Sequence, residues 1–142
     1  MKPRIVIDTN IIISALKSSH GAANRLLSII DEEKYISCLS VPLVFEYEEV
    51  IRRIFPRMSE EILNNFLDYI CNMSITSPIY FLWRPMLRDA KDDMVLEVSV
   101  ASSADFIVTY NVKDFFIAKD FGIKLASPRD ILILTGEKNE HD

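Results

Sequence analysis

Glycine, cysteine, histidine and positive charge are all scarce in this 142-residue chain, and each shortage closes off a class of answers. Three glycines and six prolines argue against a loop-rich all-β design. The two cysteines, Cys38 and Cys71, lie in apolar segments without CxxC spacing. They read as buried thiols of a reducing compartment, with neither a disulfide nor a zinc site expected. Of the two histidines, His20 falls in the turn-like Lys17-Ser18-Ser19-His20-Gly21 and His141 in the terminal tail, so neither is expected to bind a ligand. Sixteen Lys and Arg against 21 Asp and Glu leave a net charge of -5, which counts against a broadly basic nucleic-acid surface. No apolar stretch reaches membrane-span length, and the first one is broken by Asp8 and Asn10. The start is therefore neither a signal peptide nor a span, and a cytoplasmic protein without membrane attachment is expected. There is no P-loop, dinucleotide-type glycine run or Ser-His-Asp set.

What the chain does have is an ordered alternation of strand and helix signals. Ile5-Val6-Ile7 is a β-branched run without alternation, the pattern of a strand buried on both faces in a parallel sheet. Asp8 stands where that strand ends and the helix Thr9 to Lys17 begins. In open α/β sheets ligands bind at the carboxyl ends of the strands, so Asp8 is a site candidate, although Asp or Thr at this point also serves as a helix cap. Ala22 to Glu32 reads as a second helix and Tyr35 to Leu39 as a second strand. Ser40-Val41-Pro42 opens a helix with Ser40 as cap, and Leu43, Tyr47, Val50, Ile51 and Ile54 form its buried stripe. Glu46 and Glu48 border that stripe on opposite sides and Glu49 points away from it. Glu46 is the acid nearest the helix start, yet periodicity alone does not choose between Glu46 and Glu48.

A helix starting at Ser59 runs to about Met73, with Ile62, Leu63, Phe66, Leu67, Ile70 and Cys71 inward. Ile75 to Leu82 is extended but carries Pro78, which disfavours a central strand. Trp83 reads as a core anchor or lid in the loop-like Trp83-Arg84-Pro85. Basic residues gather as Arg52, Arg53, Arg57 and as Arg84, Arg88, Lys91. Asp92 or Asp93 caps a helix reaching about Ser103, with Val95, Val98 and Ala101 inward, and adjacent acids at a helix start also suit its dipole. Ala104 to Thr109 is a strand closed by Tyr110-Asn111, and Asp114 follows it. A last strand, Gly122 to Ala126, and a helix capped by Ser127 complete residues 1–135. Residues 136–142 read as a charged, disordered tail. The class is α/β, three layers deep, with a mostly parallel central sheet.

Asp8, Glu46, Asp93 and Asp114 come from four segments that a parallel sheet opens toward one edge. Four carboxylates brought together need a compensating positive charge. Hard oxygen ligands select Mg²⁺ or Mn²⁺ over zinc, and such ions activate water for phosphodiester hydrolysis.

The stretches Val6-Ile7-Asp8-Thr9-Asn10, Ser40-Val41-Pro42-Leu43-Val44-Phe45-Glu46, Asp92-Asp93-Met94-Val95-Leu96 and Ala104-Asp105-Phe106-Ile107-Val108-Thr109 through Lys113-Asp114-Phe115 resemble, in that order, PIN domains, the nuclease modules of VapC-type toxins of toxin-antitoxin systems. The resemblance implies a metal-dependent endoribonuclease with RNA as substrate and an antitoxin protein as partner, and homodimers are common among such relatives. It implies Asp8, Glu46, Asp93 and Asp114 as catalytic, Mg²⁺- or Mn²⁺-holding acids, with Thr9, Asn10 and Thr109 orienting them and Asp92 as cap or outer-shell support. Asn111 stands where many relatives carry an aspartate, which bears on a second metal and leaves room for a non-catalytic RNA- or protein-binding module. A phosphatase-type use of Asp8 as nucleophile is weaker, because Asp8-Thr9-Asn10 lacks the second acid.

Overall fold

A computed structural model describes residues 1–78 and 90–139. Trp83, Arg84, Arg88 and His141, with most of the extended run after Pro78, lie outside the described residues.

Arg4–Ile7 forms β1, with Ile5, Val6 and Ile7 essentially inaccessible. Successive strand residues point to opposite faces, so three buried in a row require cover on both sides of the sheet. Thr9–Lys17 forms α1 and Ala22–Ser28 forms α2, followed by a 3-10 turn at Ile30–Glu32. The second helix expected to run unbroken to Glu32 therefore stops early. Glu33, at φ 57, turns the chain toward the next strand while Ile29 and Ile30 stay buried. Ile36–Leu39 is β2, Val41–Ile54 is α3, Glu60–Asn72 is α4 and Ser74–Thr76 is β3. Ala90–Ala101 is α5, Phe106–Val108 is β4, Val112–Phe121 is a 3-10 segment, Lys124–Ala126 is β5 and Pro128–Leu134 is α6.

Among the described residues five strands pair in the order β3-β2-β1-β4-β5, every pair parallel. This is the three-layer α/β/α sheet expected. β1 is central, in register with β4 from Ile5 opposite Phe106 to Ile7 opposite Val108. The strand order reverses at β1: the chain builds outward through β2 and β3, then returns to β4 on the other side. A crevice for ligands is expected at the carboxyl end of β1, where that reversal occurs. The strands on the outside, β3 and β5, have three residues each.

Packing corrects several helix faces. α5 lies against β1, β2 and β4 while also touching α3 and the 3-10 segment. It consequently buries Val95, Leu96, Val98 and also Glu97, Ser99 and Ser102, while Ala101 is exposed. A helix enclosed on most sides has no clear amphipathic stripe to read. On α4 only Leu63, Leu67 and Ile70 are buried; Phe66 and Cys71 are half-buried and Ile62 is exposed. Cys38 and Cys71 are both free thiols, and burial raises the pKa of each. After α6, Glu137 pairs with Arg25 (3.1 Å) and Lys34 (3.6 Å). Among the described residues no helix is long and apolar enough to cross a membrane.

Candidate metal centre and active site

Asp8 is both a helix cap and a cleft residue. Its backbone is extended (φ -66, ψ 150), and its Oδ1 accepts from the Thr9 N–H at 2.8 Å. Its Oδ2 accepts from the Thr109 hydroxyl at 2.7 Å, and the Asp8 N–H donates to the Val108 carbonyl at 3.0 Å. Thr109 Oγ1 in turn accepts from the Asn111 N–H at 2.9 Å. The end of β4 therefore fixes the orientation of a carboxylate at the end of β1 that is 6% exposed. Thr109→Val removes that link. If Asp8 holds a metal, the expected result is a 10- to 100-fold loss of metal affinity, as found on average for such supporting residues, with Thr109→Ser retaining most of it. Titration calorimetry with Mn²⁺ checks this.

Glu46 reaches the same cleft from α3. Ser40 caps that helix by accepting from the Leu43 N–H at 3.3 Å, with Pro42 in the first turn. Tyr47 is fully buried beside Glu46, and its hydroxyl donates to the Ile7 carbonyl, the residue before Asp8. Burial, with the Asp8 carboxylate nearby, holds the Tyr47 phenol well above the usual tyrosine range, so it stays a neutral donor. Glu46 is 7% exposed and lines the cleft. Glu48 points elsewhere and accepts from Arg52 at 3.0 Å, while Arg52 also pairs with Glu60. The choice that periodicity left open falls to Glu46.

The cleft holds about 660 Å³. Asp8, Thr9, Asn10, Glu46, Asp92, Tyr110 and Asn111 line one part of it. Ile13, Ser14, Lys17, Ser18, Val50, Arg53 and Ile54 line the rest. α5 begins at Ala90, so Asp92 and Asp93 lie inside its first turn rather than capping it. Asp92 reaches the cleft; Asp93 is 1% exposed and is not among the lining residues. Asp114 is exposed on the 3-10 segment and is not brought to the cleft either. Asn111 occupies the cleft position at the end of β4. Asp8, Glu46 and Asp92 thus line one opening, while Asp93 is buried and Asp114, whose N–H donates to the Asn111 carbonyl at 3.0 Å, is exposed and does not line it.

A family model described as PIN domain matches residues 4–113. The chain belongs to the PIN domain family. Among curated proteins none matches it. PIN domains are generally nucleases, so the cleft belongs to a nuclease-type module, and the matched segment carries Asp8, Glu46, Asp92, Asp93 and Asn111 but ends before Asp114.

Whether this PIN domain's residues suit a divalent cation is decided by their donor chemistry. Among the described residues no three His, Cys, Asp or Glu side chains form a closed metal-binding group. Mg²⁺ does not need one, since it keeps several waters and is held through one or two carboxylates plus substrate phosphates. Among the described residues, the polar side chains at this end of the cleft other than hydroxyls are carboxylates and amides. Asn10 adds a buried Oδ1 with no hydrogen-bond partner, an acceptor that wants a cation or a water. The set fits a hard cation.

Reading the sequence missed Ser14, Lys17, Arg53 and Tyr110 as cleft residues. A signal existed: Asn10, Ser14, Lys17 and Glu46, Val50, Arg53 both step by four and then three, one helical face each. Glu97, a buried carboxylate one turn after Asp93, also went unremarked.

Proposed function

We infer that the protein is a divalent-metal-dependent endoribonuclease that hydrolyses RNA phosphodiester bonds at the carboxylate end of the cleft. The observation that carries this reading is the pairing of Asp8, held by Thr9 and Thr109, with Glu46 in one opening at the end of the central strand. Asp8 and Glu46 would hold Mg²⁺ or Mn²⁺, with Asp92 and Asn10 beside them and Asp93 as support. The ion supplies charge neutralisation and water activation when bound. Asp8 keeps a fixed orientation because both of its oxygens accept hydrogen bonds, and Glu46 stays near it because Tyr47 ties α3 to Ile7. A cytoplasmic role as the toxin of a toxin-antitoxin pair, silenced by an antitoxin that covers this cleft, rests on the ordered motif likeness. A small DNA-binding protein encoded next to this chain would support it.

The test compares two glutamates on one helix. With RNA and Mn²⁺, Glu46→Gln is expected to lose about 10²-fold or more in cleavage rate, and Glu48→Gln to stay near the parent. EDTA should abolish cleavage and added Mg²⁺ should restore it. Equal loss in both variants would assign the effect to α3 stability and sink the role of Glu46.

A second reading, a non-catalytic module that binds RNA or protein, is favoured by Asn111 lining the cleft while Asp114 stays outside it. Calorimetry separates the two, because a decayed site shows no divalent binding near millimolar concentration.

A further inference from the structure

The cleft is a groove along α1 and α3, which pack side by side. Asp8 caps α1, Asp92 lies in the first turn of α5 and Glu46 lies in the second turn of α3. Lys17 lies seven residues beyond Asn10 on α1, and Arg53 lies seven residues beyond Glu46 on α3; both line the same cavity. At 1.5 Å rise per residue, each cation stands about 10 Å along its helix from the carboxylate end. Ile13 and Val50 line the cavity between these two ends, and Ile54 follows Arg53 at the end of α3. Tyr110, 50% exposed, lines the cleft at the carboxylate end, next to Asn111.

Lys17 and Arg53 are the basic residues among the described cleft lining, and neither is tied up in an ion pair. Arg25 and Lys34 pair with Glu137, Arg52 pairs with Glu48 and Glu60, and Arg4 donates to the Ser102 carbonyl. Among the described residues Lys17 and Arg53 have no ion pair, even though Glu49 precedes Arg53 by one turn. A protein of net charge -5 with acids in its cleft repels polyanions unless local cations offset that field. The groove supplies them at one end and an aromatic face at the other.

We propose that the α1–α3 groove is a single-stranded nucleic-acid track, with Lys17 and Arg53 contacting a phosphate flanking the carboxylates and Tyr110 stacking on a base at the opposite end. The track gives the strand a polarity across the site and deepens the ribonuclease reading, on which it rests for the meaning of the carboxylate end. Lys17, Arg53 and Tyr110 position the strand and take no part in bond breaking.

The probe is a fluorescein-labelled single-stranded oligouridylate, bound in the Asp8→Asn background so that no cleavage occurs, over a salt series followed by anisotropy. Adding Lys17→Gln with Arg53→Gln should weaken binding about tenfold and flatten the slope of log affinity against log salt by about 0.7, the value for one lost single-strand phosphate contact. Tyr110→Ala should weaken binding about tenfold with the slope unchanged. All three positions are exposed, so thermal melts should match the background protein. Parent affinity and slope in the double variant would overturn the proposal, as would equal competition by an oligoglutamate peptide of the same charge. Hydrolysis of bis(p-nitrophenyl) phosphate by the parent with Mn²⁺ tests the ribonuclease reading separately. If the parent fails to hydrolyse it with Mn²⁺ while the slope change is seen, the ribonuclease reading fails and the track stands.

Discussion

Asp8→Asn is expected to lower metal-dependent phosphodiester cleavage on the order of 10³-fold while leaving the protein folded. The substitution keeps an oxygen to accept from the Thr9 N–H and puts an NH₂ where Oδ2 meets Thr109. The Thr109 hydroxyl oxygen has two lone pairs, so it can accept from this NH₂ as well as from the Asn111 N–H. The local hydrogen bonds therefore survive with one donor reversed. What is lost is the negative charge nearest the end of β1. Without metal, the variant should melt at or slightly above the parent temperature, because one like charge has left a cleft shared with Glu46 and Asp92. On adding Mn²⁺ the parent should gain stability by ligand linkage and the variant should not. Differential scanning calorimetry with and without Mn²⁺, beside an RNA cleavage assay, reads both effects. Equal cleavage by the two proteins would identify a contaminant nuclease and remove the claim.

The second large effect is on stability and comes from Tyr47. This side chain is wholly enclosed and spans from α3 to the end of β1. Tyr47→Ala should cost about 3–5 kcal/mol, the usual range for truncating a buried aromatic, which is a large share of a typical folding free energy. Tyr47→Phe keeps the ring and loses only the bond to the Ile7 carbonyl, at about 0.5–1.5 kcal/mol. Urea titration measures both. In the Phe variant cleavage should fall further than stability alone explains, because the carbonyl released is one residue from Asp8 and the freed helix carries Glu46. A Phe variant with unchanged cleavage would show that α3 is held well enough by its apolar stripe.

The sheet and its central strand were legible because Ile5-Val6-Ile7 followed by Asp8 states two facts at once, burial on both faces and a polar exit. The strands β2, β4 and β5 and the cap at Ser40 could be read for similar local reasons, whereas the short, exposed β3 could not. The acids beyond Asp8 were harder. Glu46 and Glu48 are equivalent by periodicity, and only the position of α1 beside α3 decides which one meets Asp8. Asp92 and Asp93 depend on helix phase. The two lie about 100° apart around α5, and the way that helix packs turns Asp92 toward the opening and Asp93 inward. Asp114 depends on a segment that winds as a 3-10 helix broken at Phe115, so a count of residues from the strand end gives no direction for its side chain. Lys17, read only as a helix end, and Arg53, read only as part of a basic cluster, meet in one cavity only once α1 and α3 pack.

The short outermost strands also bear on how the protein behaves in a crowded solution. A parallel sheet presents unsatisfied backbone groups along its margins, and a long flat margin templates fibre growth. β5 offers three residues, opens with the exposed Lys124, and passes directly into α6, whose Pro128 has no N–H to donate. A neighbouring molecule that tried to extend the sheet there would meet a charge and then a helix. Lengthening this margin with uncharged β-branched residues would turn a safe border into a nucleus for aggregation.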